Sequence, residues 1–238
     1  QVDKAESIVQ AALHANPKNA DALVLMGSIQ LAKNDPTGAI ASFNSAIKEQ
    51  PKDIVGYKAL ADLYIRQKKY DDALNIVKQG LQEQPGNLAL RLSLAGIMEA
   101  KGEYESAITE YESMLKEQPG SMIVANNLAS LLTDRRTDKA SLDQANSIAL
   151  LLRKSDVPQF KDTSGWIAYR RGDYTAASSL LEQAAAAMPN ISMVHYHLGM
   201  VYLATGQEAK ASEQFKKVQE LAPNDADLKM KIDSALKA

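Results

Sequence analysis

The chain has 238 residues and a nearly balanced charge, with 27 basic residues against 29 acidic ones and a net charge of −2. This balance argues against nucleic acid or an anionic membrane surface as the main partner, because both attract strongly basic proteins. The sequence has no cysteine, which excludes disulfides and thiolate metal sites. It has no run of about 18 apolar residues, so we expect no insertion into a membrane.

Prolines recur along the chain with a spacing of 34 residues. They stand at Pro17, Pro51, Pro85 and Pro119, and again at Pro189 and Pro223. Proline cannot continue a helix, and this period is typical of stacked helix-turn-helix repeats. We therefore expect about twelve or thirteen antiparallel helices, with terminal helices at residues 3–15 and 226–236.

The predicted units follow one another without a flexible linker. They are the second helix of a truncated repeat (1–19), repeats at 20–53, 54–87, 88–121, 122–157, 158–191 and 192–225, and a C-terminal capping helix (226–238). Residues that can cap the next helix follow the inter-repeat positions: Asn19, Asp53, Asn87, Ser121 and Asp225. Gly102, Gly172 and Gly206 are predicted to adopt the left-handed conformation that ends a helix.

Small residues such as Gly27 and Gly199 predict close approach of the two helices of a unit. Phe43, Tyr111 and Phe215 are expected to fill the space between units. The sharpest copy carries Leu198-Gly199, Tyr202, Ala211, Phe215, Val218 and Pro223. This pattern closely resembles the tetratricopeptide repeat (TPR). The resemblance covers nearly the whole chain and implies an all-α, right-handed superhelical solenoid that binds a protein or peptide.

Residues 122–157 depart from the period, because Pro119 and Pro189 are two residues further apart than two repeats allow. We predict first and second helices at 122–132 and 142–154, with a lengthened turn between them. An insertion in a solenoid can carry function. It can equally be a tolerated surface loop, since loop length costs little closure entropy.

By resemblance to TPR arrays, fixed positions of each first helix line a concave groove for the partner. Transferred to this chain, these positions give Lys58, Asp62, Arg66, Asn126, Asn127, Ser130, Trp166, Tyr169, Arg170, Met193, Tyr196, His197 and Met200. The C-terminal members are rich in aromatic residues and methionine, which are enriched at binding hot spots. Alternatively, Trp166 and Tyr169 pack the irregular unit against its neighbour.

A carboxylate clamp of the chaperone-adaptor type is not predicted. Lys58 and Asn126 occupy suitable positions but lie two units apart, and Asp62 stands where an asparagine would be needed.

Motifs for catalysis are absent from the sequence, which has neither a glycine-rich phosphate loop nor a nucleophile elbow. His195 and His197 lie about 200° apart around a helix and cannot readily share a metal. His195 occupies an aromatic packing position and is expected in the core. We expect no enzyme activity, no catalytic residue, no cofactor and no metal.

The N-terminal segment aligns with a second helix whose partner is missing, so we expect a truncated array. The apolar residues Ile8, Val9, Ala12 and Leu13 would lose part of their cover, and this end is expected to fray or to pair with another molecule.

Two functions remain open. One is a non-catalytic scaffold from a larger bacterial protein, because the tract from Asn126 to Asn190 resembles multi-TPR arrays of envelope and exopolysaccharide assembly, including exosortase-linked periplasmic lipoproteins. The other is the substrate-recruiting arm of an enzyme, as in TPR-bearing glycosyltransferases. The absence of cysteine fits a bacterial periplasm or cytoplasm equally well.

Overall fold

The computed structural model describes residues 1–152 and 155–237, and the regular structure in those ranges is entirely α-helical. The helices are α1 Val2–Ala15, α2 Ala20–Ala32, α3 Pro36–Glu49, α4 Ile54–Arg66, α5 Tyr70–Glu83, α6 Leu88–Lys101, α7 Tyr104–Glu117, α8 Met122–Arg135, α9 Lys139–Ala149, α10 Pro158–Arg170, α11 Tyr174–Ala187, α12 Ser192–Ala204, α13 Glu208–Leu221 and α14 Ala226–Ala235. The predicted all-α repeat fold is confirmed. The expected twelve or thirteen helices are too few, because six pairs and both terminal helices form, which makes fourteen in the described ranges.

The chain divides into two compact units, Gln1–Met114 and the residues from Leu115 onward. In the first unit, the first helices α2, α4 and α6 contact one another in turn. α2 packs between α1 and α3, α4 packs between α3 and α5, and α6 packs on α5. In the second unit, α8, α10 and α12 form the same kind of row. Side chains on these first helices are therefore the ones that neighbouring repeats bring together.

Glycines on first helices receive a large side chain from their own helix pair. A Cβ at Gly27 would overlap the ring of Phe43, and one at Gly199 would lie 2.5 Å from Phe215 Cε1. The prediction that Phe43 and Phe215 fill the space between units is thus extended, because each ring also packs inside its own helix pair. Each ring uses the space left by a missing Cβ in its own pair, while Phe43 also shares a buried cluster with Leu60 of α4.

The predicted caps explain where most first helices begin. Asn19, Asp53, Asn87 and Asp225 each accept a hydrogen bond from a backbone N–H in the first turn of the following helix. Ser121 differs, because its side chain makes no capping hydrogen bond among the described residues.

The predicted left-handed glycines are confirmed, with φ of +88° at Gly102, +83° at Gly172 and +72° at Gly206. In the turns between α2 and α3 and between α4 and α5, which have no glycine, Asn34 and Lys68 take this conformation, with φ of +60° and +58°.

The irregular unit differs from its prediction. α8 continues to Arg135 and α9 begins at Lys139, so the turn between them is short. Asp138 starts α9 early because its carboxylate accepts a hydrogen bond from the backbone N–H of Ser141 at 2.9 Å. α9 ends at Ala149, and the described residues that follow it, 150–152 and 155–157, are not helical. The predicted helix end at residues 153 and 154 lies outside the described residues.

Candidate functional site

Four ring-bearing side chains from α10 and α12 meet in the second unit, and we call them the aromatic cluster: Trp166, Tyr169, Tyr196 and His197. The Trp166 ring is stacked on Tyr169 at 4.8 Å and on His197 at 4.2 Å between ring centroids. Tyr196 lies 6.0 Å from Trp166 in a tilted arrangement. The residues predicted from different repeats thus form one contiguous group, as the contact between α10 and α12 requires.

Trp166 is held by the irregular unit as well as by the cluster. Its indole N–H donates a hydrogen bond to Asp134 Oδ1 at 2.9 Å, and only 8% of the residue is exposed. The neighbouring Arg170 donates through Nη1 to the backbone carbonyl of Thr133 at 2.7 Å. These contacts favour the packing role for Trp166, since its indole face and its donor are already occupied.

His197 connects the cluster to a carboxylate on α10. Its Nδ1 lies 3.0 Å from Asp162 Oδ1, and both side chains are largely shielded from solvent. A neutral imidazole can donate to this oxygen through Nδ1–H, and a protonated one adds an ion pair. Either form fixes the ring orientation and keeps His197 stacked on Trp166.

Burial also acts on the two tyrosines of the cluster. Loss of solvent is the main cause that raises the pKa of Tyr169 and of Tyr196 above the ordinary value. Both side chains therefore keep their hydroxyl proton at neutral pH and can donate or accept a hydrogen bond.

The edge of the cluster is only partly covered. Tyr169 and Met200 pack against the buried core as partly buried residues, Arg170 is half-buried, and Met193 is 39% exposed. This edge offers an aromatic face, a methionine and a guanidinium to an incoming chain.

On α8, next to α10, the predicted residues Asn126, Asn127 and Ser130 are half-buried. Asn126 Nδ2 donates to Asn127 Oδ1 at 3.4 Å. Among the described residues, nothing donates to the buried Oδ1 of Asn126. A buried acceptor without a donor costs about 1–3 kcal/mol, so this carbonyl favours a ligand that brings an N–H.

The remaining predicted site residues lie in the first unit, on α4. Lys58 is half-buried, whereas Asp62 and Arg66 are exposed. Four-residue spacing places the three on one side of α4. They form a mixed-charge stripe that is described separately from the aromatic cluster.

His195 is a core residue, as expected, with 2% of its surface exposed. Its Nε2 lies 2.9 Å from the backbone carbonyl of Pro189 and its Nδ1 lies 2.7 Å from the side-chain amide of Gln214. The Pro189 carbonyl can only accept, so Nε2 carries a proton. The sequence did not reveal that Gln214 is the partner of His195, or that Asp134 is the partner of Trp166. In each pair the two residues lie on different helices, and no local pattern connects them.

Two further properties concern the described residues only. No group of three or more His, Cys, Asp or Glu side chains there could hold a metal ion. None of the helices in the described ranges has the length and apolar character needed to cross a bilayer.

The sequence profile of the tetratricopeptide repeat matches residues 1–63, 64–132 and 168–233, which together make up most of the chain. The chain belongs to the tetratricopeptide repeat family. No curated protein matches it in sequence.

Several solved TPR structures have a similar fold. The Cut9–Hcn1 hetero-tetramer of the APC/C superposes with a TM-score of 0.76 at 18% identity, covering 99% of this chain and 46% of that one. This chain thus spans less than half the length of that relative. A TPR protein from Parabacteroides merdae gives a TM-score of 0.73 at 20% identity, with 99% and 92% covered. PilF from Pseudomonas aeruginosa gives 0.66 at 15%, with 90% and 97% covered. At these identities, the similarity shows the fold.

Proposed function

We propose that this TPR protein is a non-catalytic scaffold that binds a protein or peptide partner along the row of first helices in its second unit. The proposed surface runs from Asn126 and Ser130 on α8, across Tyr169 and Arg170 on α10, to Met200 on α12. Its rigid floor is the aromatic cluster, which needs no rearrangement before a partner docks. A pre-organised surface loses less conformational entropy on binding than a flexible one.

The observation that carries this proposal is the buried Asn126 Oδ1, to which no described residue donates a hydrogen bond. An extended peptide presents a backbone N–H at every residue except proline, so it can supply the missing donor once the Asn126 side chain turns toward it. The partly covered edge at Tyr169 and Arg170 then offers stacking and further hydrogen bonds to the same peptide.

Two of the similar structures belong to proteins whose names describe assembly. One is a subunit complex of the APC/C, and another, PilW, is named a type IV pilus biogenesis factor. These names are compatible with a role in complex assembly for this TPR protein. The resemblance to exosortase-linked arrays stays a prediction, as does the placement in the periplasm or the cytoplasm.

The experiment is a selection of peptides from a random display library on the immobilised protein, followed by calorimetry with the best peptide. We expect Asn126→Ala and Tyr169→Ala each to weaken binding about tenfold or more, which is the range of interface hot spots. Asn44→Ala is the matched control, because Asn44 is exposed on α3 in the first unit. Equal affinity of all three variants, with circular dichroism showing that they are folded, would overturn the proposal.

A further inference from the structure

A cleft lies between α9, α10 and α11, and it is separate from the proposed partner surface. Its volume is about 530 Å³, within the range of ligand pockets in proteins. Ser164 is on the wall that α10 contributes, and at 100° per residue it lies about 200° around the helix from Trp166. α10 therefore presents the aromatic cluster on one side and this cleft on the other.

The repeat pattern explains why the cleft forms at this place. The irregular unit is two residues longer than the others, so the position equivalent to Ser164 in α8 is 36 residues earlier and holds Leu128. Steps of 34 residues then give Leu94, Leu60 and Met26 before it and Leu198 after Ser164. The four leucines are at most 8% exposed. Leu60 shows what the position does, because it packs into one cluster with Ala39 and Phe43 of the preceding second helix. Serine at this position removes the side chain that would close α10 against α9.

Ser164 also leaves a polar group unsatisfied. Its Oγ is buried, and in the described part of the chain nothing forms a hydrogen bond with it. In the unfolded chain this hydroxyl bonds to water, and a serine that only filled space would lose that hydrogen bond on folding without compensation. Ser164 lines the cleft, and a change of its χ1 rotamer would turn the hydroxyl toward a ligand there, to which it can donate and from which it can accept a hydrogen bond.

The other residues that line the cleft indicate the chemical class of its ligand. The apolar part includes Leu152, Phe160 and Leu180. The cations at the rim are already paired, Lys161 with Asp156 at 3.1 Å and Arg171 with Asp143. The carboxylate of Asp173, also in the lining, accepts a hydrogen bond from the backbone N–H of Ala176. With these charges engaged, the cleft favours a neutral ligand with an aliphatic or aromatic group.

We propose that this cleft takes one large apolar side chain of a partner protein, inserted where the other repeats hold their own leucine, while the adjacent amide group of the partner bonds to the Ser164 hydroxyl. The partner thus supplies the side-chain volume that this repeat lacks. The volume of the cleft, the unpaired hydroxyl and the paired rim charges all agree with an amide-linked apolar group.

The test is a titration with N-acetyl-leucine methylamide, followed by amide NMR of the full chain. We expect saturable shifts of the amide signals of Ser164, Leu180 and Gln183. The glycine analogue lacks the apolar side chain, so its affinity, measured from the same shifts, should be at least about tenfold weaker. Ser164→Leu, which restores the repeat pattern, should abolish the shifts. Ser164→Ala, which keeps the cleft but removes the hydroxyl, should weaken binding several-fold.

Ala176→Leu fills the cleft from α11 and serves as a second test if Ser164→Leu does not fold. Gln159→Ala is the control, because Gln159 is exposed on α10 outside the lining of the cleft, and this variant should keep the affinity for the probe. Shifts that do not saturate, or that persist in the folded Ser164→Leu or Ala176→Leu variant, would overturn the proposal. So would loss of the shifts in Gln159→Ala.

Discussion

The indole of Trp166 and the imidazole of His197 stack at 4.2 Å with an angle of 16° between their planes. Trp166 simultaneously donates to Asp134 Oδ1, so one side chain joins α8, α10 and α12. The only tryptophan of the chain is thus a packing residue for three successive repeats.

We expect Trp166→Ala to lower the free energy of unfolding by about 3–5 kcal/mol, as expected for a buried aromatic side chain. Phe215→Ala, which opens the space beside Gly199, should cost a similar amount. Asp134→Ala keeps the ring stack and should cost about 1–3 kcal/mol, because it leaves the buried indole N–H without its acceptor. Urea unfolding followed by circular dichroism measures all three. A folded Trp166→Ala variant of unchanged stability that has lost partner binding would show instead that the residue is a binding residue.

Two glycine-to-alanine substitutions distinguish the effect of helix propensity on stability from the effect of packing. Gly27→Ala should destabilise the protein by about 1–3 kcal/mol, because its Cβ would overlap the ring of Phe43. Gly96→Ala lies inside α6, where among the described residues no atom comes within 4 Å of an added Cβ. It should stabilise the protein by about 0.5–1 kcal/mol. Thermal unfolding measures both, and the same sign for the two variants would contradict the packing described for Phe43.

Tyr202 makes stability depend on pH in alkaline solution. Burial, followed by the hydrogen bond that its hydroxyl donates to Glu182 at 2.9 Å, raises the pKa of Tyr202 to about 12. The unfolded phenol titrates near pH 10. The stabilisation by the protonated hydroxyl is therefore complete below about pH 10 and is lost as the pH rises from about 10 to 12. We expect urea unfolding to show a smaller alkaline loss in Tyr202→Phe than in the wild type, and parallel curves would refute this role.

The N-terminal end presents an exposed apolar face. Ile8 is 62% exposed and Leu25 is 55% exposed, beside Ala5 and Ile29 in a groove between α1 and α2. The sequence expectation is refined here, since Val9 is covered by the fold while Ile8 is not. We propose that a second molecule packs on this face.

Analytical ultracentrifugation should then give a weight-average mass that rises above 25.9 kDa with concentration. Ile8→Glu combined with Leu25→Glu should return it to the monomer value. Met230→Glu is the control, because Met230 is 63% exposed on α14 in the second unit. A monomer at every concentration, together with slow hydrogen exchange throughout α1, would contradict both pairing and fraying at this end.

The positions of the helices could be read from the sequence because their signals are local. Asp53 and Asn87 cap helices that begin at the next residue, and Gly102 ends α6 through its own backbone conformation. Such signals need only a few neighbouring residues, and the 34-residue period repeats them along the chain. In the irregular unit, the start of α9 was predicted too late. The capping residue Asp138 lies within a run of residues that was interpreted as a long turn.

The candidate site depended on the tertiary structure. Trp166 and Asp134 are 32 residues apart and His197 and Asp162 are 35 apart, so no local pattern connects them. The repeat period identified which helices are neighbours, and thus grouped Trp166 with Tyr196. It could not determine whether the indole faces solvent or a carboxylate, nor that serine in place of leucine at position 164 opens a cleft. Side-chain burial and hydrogen bonding are decided only when the helices pack, because they depend on the distances between atoms that the folded chain alone brings together.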